Sequence, residues 1–178
     1  MKEKEYMRLE SDSIGTMEVP EDAYYGVQAL RAKENFPITG TKLHPVFIKN
    51  LAKIKRAAAI TNRKAGRLKP EIANAIEASA NEVICGMFDK DFIVDGIQGG
   101  AGTSANMNMN EVIANRAIEM LCGKKGDYTI VHPNDHVNMA QSTNDVIPTA
   151  GKLTVLDLLK PLDKSLSLLT DALYDKAA

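Results

Sequence analysis

Apolar residues recur at the three- and four-residue spacing of an amphipathic helix in four stretches of the chain. Two stripes lie in the first half and comprise Phe47, Leu51, Ile54 and Ala58, followed by Ile72, Ile76, Ala80, Val83, Ile84 and Met87. Two more lie in the second half and comprise Met109, Val112, Ile113, Ala117, Met120 and Leu121, followed by Leu162, Leu166, Leu169 and Leu173. A helix buries such a stripe against another element, so the pattern predicts a mainly α-helical fold.

Turn and capping residues predict the segments around these helices. The first residues predict a short strand or hairpin, with a turn at Ile14-Gly15 and an end at Pro20. A helix is predicted to start directly after Pro20, where two acidic residues would lie in its first turn. The last leucine stripe runs on towards Ala178 without a cap, so we expect the N-terminal portion of a longer protein. Pro161 is expected to kink this last helix or to divide it.

Composition narrows the possible classes of function. Hydrophobic residues make up 44% of the 178 residues, enough for a sizeable core. Lys and Arg number 22 against 23 Asp and Glu, and the resulting net charge of −1 argues against a nucleic-acid partner. The sequence has no apolar run approaching the roughly 20 residues that cross a bilayer, and its charged start has no apolar signal segment. We therefore expect neither a membrane partner nor export.

The two cysteines, Cys85 and Cys122, lie far apart and fit no metal-binding spacing. Each falls in an apolar helical stripe, so both are predicted to pack in the core as free thiols. Free thiols indicate a reducing compartment, and we expect a cytoplasmic protein.

One polar stretch, "GGAGTSANMNMNEV" from Gly99 to Val112, concentrates glycines, hydroxyls and amides before the third helical stripe. The glycines permit tight turns and close approach of a ligand to the backbone. Thr103 or Ser104 falls near the predicted helix start, where free N–H groups favour an anion. Asn108 and Asn115 are expected on the helix side away from the stripe. The alternative is a capped helix with a hydrogen-bonded asparagine cluster.

A second polar stretch, "HPNDHVNMAQSTNDVIPT" from His132 to Thr149, leads into the last helix. Ser142, Thr143 and Asn144 offer two hydroxyls and an amide in succession. Such neutral donors bind a carboxylate without neutralising it, and they gain value when its charge grows during a reaction, as in an oxyanion site. The alternative is again a capped turn.

His132 and His136 are spaced by about one helical turn, which is one possible metal-binding spacing. Pro133 and Asn134 argue against a regular helix between them, and no cysteine or third histidine joins them except the distant His44. We therefore expect a surface or anion contact at these histidines and no metal site.

Three segments resemble a known family. "QGGAGTSANMNMNEVIANRA" and "HVNMAQSTNDVIPT" are similar to two of the three signature regions of the aspartase/fumarase superfamily, and "VPEDAYYGVQALRAKENFPITG" is similar to its N-terminal segment. "GGAGTS" and "DAYYG" resemble the ammonia-lyase branch, whereas class II fumarases usually carry "GSGTQSNMN" and a tryptophan-glycine pair. The resemblance implies an N-terminal helical lyase domain over residues 1–141 and the beginning of a central helical-bundle domain over residues 142–178.

The resemblance also implies a reaction and a set of binding residues. The expected activity is reversible elimination of ammonia from L-aspartate to give fumarate, in a homotetramer and without a cofactor, although some members respond to a divalent cation. Thr103, Ser142 and Thr143 match positions that hold the side-chain carboxylate of the substrate. Asn144 matches a position near its amino group.

The third signature, a "GSSxMPxKxN" loop with the catalytic serine base, does not occur in these 178 residues. The resemblance therefore implies no catalytic base in this chain, and the chain alone is expected to be inactive. Two alternatives stay open: a portion of a class II fumarase that acts on malate and fumarate, or a non-catalytic scaffold of the same fold.

Overall fold

A computed structural model describes residues 6–177, and it begins with a two-stranded antiparallel hairpin. Strands β1 (Met7–Ser11) and β2 (Thr16–Pro20) pair from Met7 opposite Pro20 to Ser11 opposite Thr16. The Asp12 carboxylate shapes the turn, because its Oδ1 accepts hydrogen bonds from the N–H groups of Ile14 and Gly15. The predicted hairpin, its turn and its end are confirmed.

Helices make up most of the remaining structure, as the stripes predicted. The α-helices are α1 (Val27–Asn35), α2 (Pro45–Lys64), α3 (Pro70–Ile84), α4 (Thr103–Met120) and α5 (Thr143–Ala177). A short 3-10 turn at Asp89–Asp91 follows α3, and a π-helical turn at Pro133–Val137 precedes α5. The core lies where α2, α3 and α4 pack together around fully buried residues that include Leu51, Ile76, Met109, Ile113 and Ile118.

Helix α1 begins at Val27 and not directly after Pro20, so the predicted start was wrong. The intervening backbone is held by tertiary hydrogen bonds in place of helical ones. The buried guanidinium of Arg8 donates to the carbonyl oxygens of Pro20, Ala23 and Tyr25. A side chain of β1 thus satisfies carbonyls that helix formation would otherwise have used.

Glu111 of α4 supplies the acceptors at the start of α1. Its buried carboxylate accepts hydrogen bonds from the N–H groups of Gly26, Gln28 and Ala29 at 2.9, 2.9 and 3.0 Å. Burial, assisted by the charge of Glu10, raises the pKa of Glu111 to about 7 against the pull of those hydrogen bonds. One acidic residue therefore joins two helices that are far apart in sequence.

Helix α4 is buried on nearly all sides, including the side that carries its asparagines. Asn108 accepts a hydrogen bond from the N–H of Ile93 and donates to the Asp91 carbonyl. Asn115 donates to the Tyr24 carbonyl and accepts from the N–H of Gly126. The asparagines thus bind loop backbone that packs against the helix, which explains why a central helix carries so many neutral amides.

Both cysteines are exposed, so their predicted core packing was wrong. Helix α3 ends at Ile84 and α4 ends at Met120, so Cys85 and Cys122 fall in the turns that follow. The apolar periodicity of the sequence continues past the residues at which these two helices end, so it does not predict burial there. Met87, three residues after the end of α3, is 61% exposed for the same reason.

Helix α5 runs for 35 residues, continuously through Pro148 and Pro161, so Pro161 does not divide it. Its first turns pack through the buried residues Val146, Ala150 and Thr154, and it contacts α2 extensively. The later leucines of the stripe, Leu162, Leu166, Leu169 and Leu173, are each 50–62% exposed. Residues 6–177 contain no helix that is both long and apolar enough to cross a membrane.

Candidate functional site

The two polar stretches meet where α4 and α5 begin. Asn106, one turn into α4, donates through Nδ2 to Oγ1 of Thr143, the first residue of α5, at 3.1 Å. Gly102 has a left-handed backbone (φ +87°), and a Cβ there would come within 3.1 Å of Ile147 in the second turn of α5. Thr103 and the Ser142–Asn144 segment therefore lie at two neighbouring helix N-termini, where unpaired N–H groups favour an anion.

A side chain outside α4 holds the start of that helix. Gln98 accepts a hydrogen bond from the N–H of Ala105 at 2.9 Å, and its amide nitrogen donates to the Asp95 carbonyl. The Asp95 carboxylate in turn accepts from the N–H groups of Ile97, Thr39 and Gly40. These hydrogen bonds, that of Ile97 foremost, lower the pKa of Asp95. The glycine loop before Thr103 is therefore braced by ionised Asp95.

Thr103 is exposed, and within residues 6–177 its hydroxyl makes no hydrogen bond. Because Gln98 binds the N–H of Ala105, the Thr103 hydroxyl is not needed to cap α4. It is therefore free to bind a ligand at the helix start.

Ser142 and Thr143 both use their hydroxyl oxygens as acceptors. Ser142 Oγ accepts from the N–H of Asn144 at 3.2 Å, and Thr143 Oγ1 accepts from Asn106. An oxygen that accepts such a bond still has its own hydrogen to donate, so both hydroxyls can donate to an anion. The capped-turn interpretation applies to Ser142, whereas Thr143 caps nothing. The side chain of Asn144 is exposed next to them.

Behind these hydroxyls lies Lys55 of α2, which sequence analysis missed. Its Nζ donates to Asn138 Oδ1 at 2.8 Å, and the same oxygen accepts from Asn106 Nδ2 at 3.1 Å. Lys55 is fully buried, and burial lowers its pKa to about 7. The signal was present in the sequence, because Lys55 follows Leu51 and precedes Ala59 at four-residue spacing, on the buried face of α2.

The histidines of the π-helical turn accept backbone hydrogen bonds. His132 Nδ1 accepts from the N–H groups of Asn134 and Asp135, and His136 Nδ1 accepts from the N–H of His132. Among the residues that the structure describes, no group of three or more His, Cys, Asp or Glu side chains could hold a metal ion. A cavity of about 520 Å³ adjoins His132 and Ser104, but Thr103, Ser142, Thr143 and Asn144 do not line it.

Known proteins resemble the chain across almost its whole length. It matches the family described as "Lyase" over residues 15–178. An aspartate ammonia-lyase of a Bacillus species is 52% identical over 171 residues, which are 96% of this chain and 36% of that protein. A class II fumarate hydratase of Halobacterium salinarum is 53% identical over the same shares of the two chains. The crystal structure of "fumarate lyase:delta crystallin" from Brucella melitensis superposes with a TM-score of 0.83 at 50% identity, over 85% of this chain and 36% of that one. The chain thus spans about a third of the length of these relatives.

Proposed function

We propose, from the premise that this chain belongs to the aspartase/fumarase superfamily of lyases, that it is the N-terminal portion of an aspartate ammonia-lyase. The reaction is reversible elimination of ammonia from L-aspartate to give fumarate. The observation that carries the proposal is the pair of neighbouring helix N-termini with hydroxyls free to donate at Thr103, Ser142 and Thr143. The complete enzyme is proposed to be a cytoplasmic homotetramer, with α5 in its central bundle.

The chemistry explains why these donors are neutral. Removing a proton from the carbon beside the side-chain carboxylate moves a second negative charge onto that carboxylate. The C–N bond then breaks, ammonia leaves and the double bond of fumarate forms. Donors whose hydrogen bonds strengthen as this charge develops stabilise the transition state more than the bound substrate. In the proposal Thr103, Ser142 and Thr143 hold that carboxylate, and Asn144 lies near the amino group.

The relatives favour two substrates, and sequence identity does not separate them. The Bacillus aspartate ammonia-lyase is 52% identical and the Halobacterium fumarate hydratase is 53% identical. The "GGAGTS" and "DAYYG" segments support aspartate. The fumarate hydratase supports malate as the second candidate, which would require hydroxide to leave in place of ammonia.

An assay of the complete protein that contains this chain tests the proposal. L-Aspartate and L-malate are supplied separately, and fumarate and ammonia are both measured. We expect equimolar fumarate and ammonia from aspartate and little fumarate from malate. Faster fumarate formation from malate would establish the hydratase, and no product from either would favour a non-catalytic scaffold. A variant with both Ser142→Ala and Thr143→Val controls for contaminating host enzymes.

A further inference from the structure

Lys55 is a buried cation without a buried anion to pair with. Its side chain is fully buried, and no carboxylate among residues 6–177 lies within ion-pair distance of its ammonium. Burying an unpaired charge destabilises a fold, so a buried lysine without an ion-pair partner indicates a role other than stability. Its one hydrogen-bond partner in the described part of the chain is Asn138. Asn106 donates to both Asn138 and Thr143 and so links the lysine to the Thr143 hydroxyl.

Lys55 and the Gln141 carbonyl together fix the direction of the hydrogen bonds between Lys55 and Thr143. The Lys55 amino group donates to Asn138 Oδ1 at 2.8 Å, so Asn138 presents its oxygen to the lysine. The other end of the Asn138 amide agrees, because its Nδ2 donates to the Gln141 carbonyl, which only accepts. Asn106 then donates one Nδ2 hydrogen to Asn138 Oδ1 and the other to Thr143 Oγ1. Thr143 is thereby left with its own hydroxyl hydrogen for a ligand.

The observed orientation of the Asn106 amide leaves one buried acceptor without a partner, and its hydrogen bond to the Asn138 oxygen beside Lys55 offsets this cost. Asn106 Oδ1 is buried and has no hydrogen-bond partner among the described residues. If the Asn106 amide turned over, its oxygen would accept the Thr143 hydroxyl hydrogen but would face Asn138 Oδ1, and Nδ2 would take the position without a partner. Thr143 would then donate inward, away from any ligand. In the observed orientation the asparagine binds the Asn138 oxygen that Lys55 holds in place.

We propose that Lys55 is a positioning residue of the anion site: through Asn138 and Asn106 it turns the Thr143 hydroxyl hydrogen towards a dicarboxylate ligand, and when protonated it supplies the positive charge that the neutral hydroxyls lack. The inference rests on the proposed function, since the ligand is the four-carbon dicarboxylate of that reaction. Lys55 acts through its neighbours and does not touch the reacting atoms.

The test uses Lys55→Met in the complete protein, because methionine is nearly isosteric and uncharged. Lys53→Met is the matched control: Lys53 lies on the same helix but is exposed and paired with Asp157. Three quantities are measured: the Kd of succinate (an unreactive four-carbon dicarboxylate), kcat and KM for aspartate, and the melting temperature.

We expect Lys55→Met to weaken succinate binding by about tenfold or more and to lower kcat by a similar factor. Its melting temperature should stay level or rise, because an unpaired buried charge has been removed. Lys53→Met should match the parent in all three measurements. A merely structural lysine gives the opposite result, a lower melting temperature with unchanged succinate affinity in the folded protein.

Asn138→Asp keeps the inference testable if Lys55→Met does not fold. Aspartate retains the acceptor for Lys55 and Asn106, loses the donor to the Gln141 carbonyl and offsets the charge of protonated Lys55, so succinate should again bind about tenfold more weakly. Unchanged succinate affinity in the folded variants overturns the inference while the activity of the parent stands. A parent that neither binds succinate nor acts on aspartate overturns the proposed function, and this inference with it.

Discussion

At the scale of single residues, three hydroxyls of similar chemistry have different tasks. The Ser142 hydroxyl accepts a backbone N–H in the turn that starts α5, that of Thr143 accepts from a buried asparagine, and that of Thr103 makes no hydrogen bond within residues 6–177. What they share is a hydrogen available for donation at a helix N-terminus. The hydroxyl hydrogens, more than the oxygens, therefore define the candidate site.

Replacing Thr143 by valine in the complete protein should reduce turnover of aspartate by roughly 10²–10³, the usual loss of one oxyanion donor. Valine has the same shape, and Asn106 Nδ2 keeps Asn138, so the melting temperature should change little. Thr149→Val is the control, since that exposed threonine of α5 donates only to the Asp145 carbonyl. Near-normal kcat in Thr143→Val would show that the hydroxyl has no catalytic role.

Glu111 predicts a pH dependence of stability. Its pKa is raised from 4.5 to about 7, so the folded chain binds more protons than the unfolded chain between those pH values. The stabilisation from this group is therefore full below about pH 4.5 and is lost as the pH rises through about 7.

Urea midpoints of the 178-residue chain and of Glu111→Gln, measured from pH 4.5 to 7.5, isolate this effect because the other titrating groups are common to both. The difference between parent and variant should shrink steadily as the pH rises. A difference that stays constant with pH would contradict the raised pKa.

At the scale of elements, the junction of α4 with α5 determines the site. Gly102 ends the glycine loop in a left-handed conformation and lies against Ile147 of α5, and the Asn106–Thr143 bond lies beside this contact. Bringing two helix N-termini together would be unfavourable for their dipoles unless packing and an anion compensated. The glycine permits an approach that a side chain would block.

Gly102→Ala should destabilise the chain by more than Gly100→Ala. Both glycines have positive φ (+87° and +76°), so alanine costs each about 1 kcal/mol of backbone strain. Only at Gly102 would the new Cβ press against Ile147, at 3.1 Å, whereas at Gly100 it meets nothing within 4 Å. In the complete protein Gly102→Ala should also weaken succinate binding. Equal urea midpoints for the two variants would show that α4 and α5 can move apart at Gly102 and Ile147 without loss of stability.

At the scale of the whole molecule, α5 extends beyond the rest of the fold. Residues 143–157 form the part of α5 that packs on α2, where Asn50 also binds Asp157 at 3.1 Å, and residues 158–177 are exposed on every side. A contiguous exposed apolar patch usually binds a partner. Full burial of each leucine side chain contributes about 1.5–3 kcal/mol.

The 178-residue chain by itself should therefore self-associate through the region after Ile147. Light scattering over a concentration series should give a mass above 19.4 kDa that falls on dilution. A variant with glutamine at positions 162, 166, 169 and 173 should remain monomeric, since the apolar stripe is removed while helix propensity is kept. A parent chain that stays monomeric with an ordered α5 would contradict the prediction.

The sequence by itself determined the helices, the hairpin and the family, because periodic burial, turn residues and long motifs are local properties. It also identified Thr103, Ser142, Thr143 and Asn144 as candidate substrate-binding residues, although their roles remain predictions. Local pattern was wrong where a distant group overrode it. Arg8 and Glu111 keep residues after Pro20 out of a helix, and the ends of α3 and α4 expose both cysteines.

Only the tertiary structure showed that the two polar stretches meet at adjacent helix N-termini and that Lys55 lies behind them. A lysine in a helical stripe is ambiguous in sequence, because its long side chain can reach water from most positions. The packing of α2 against α3, α4 and α5 closes that route and leaves Asn138 as the hydrogen-bond partner of Lys55 among the described residues. Hydrogen-bond direction between side chains 83 residues apart depends on packing that no local pattern contains.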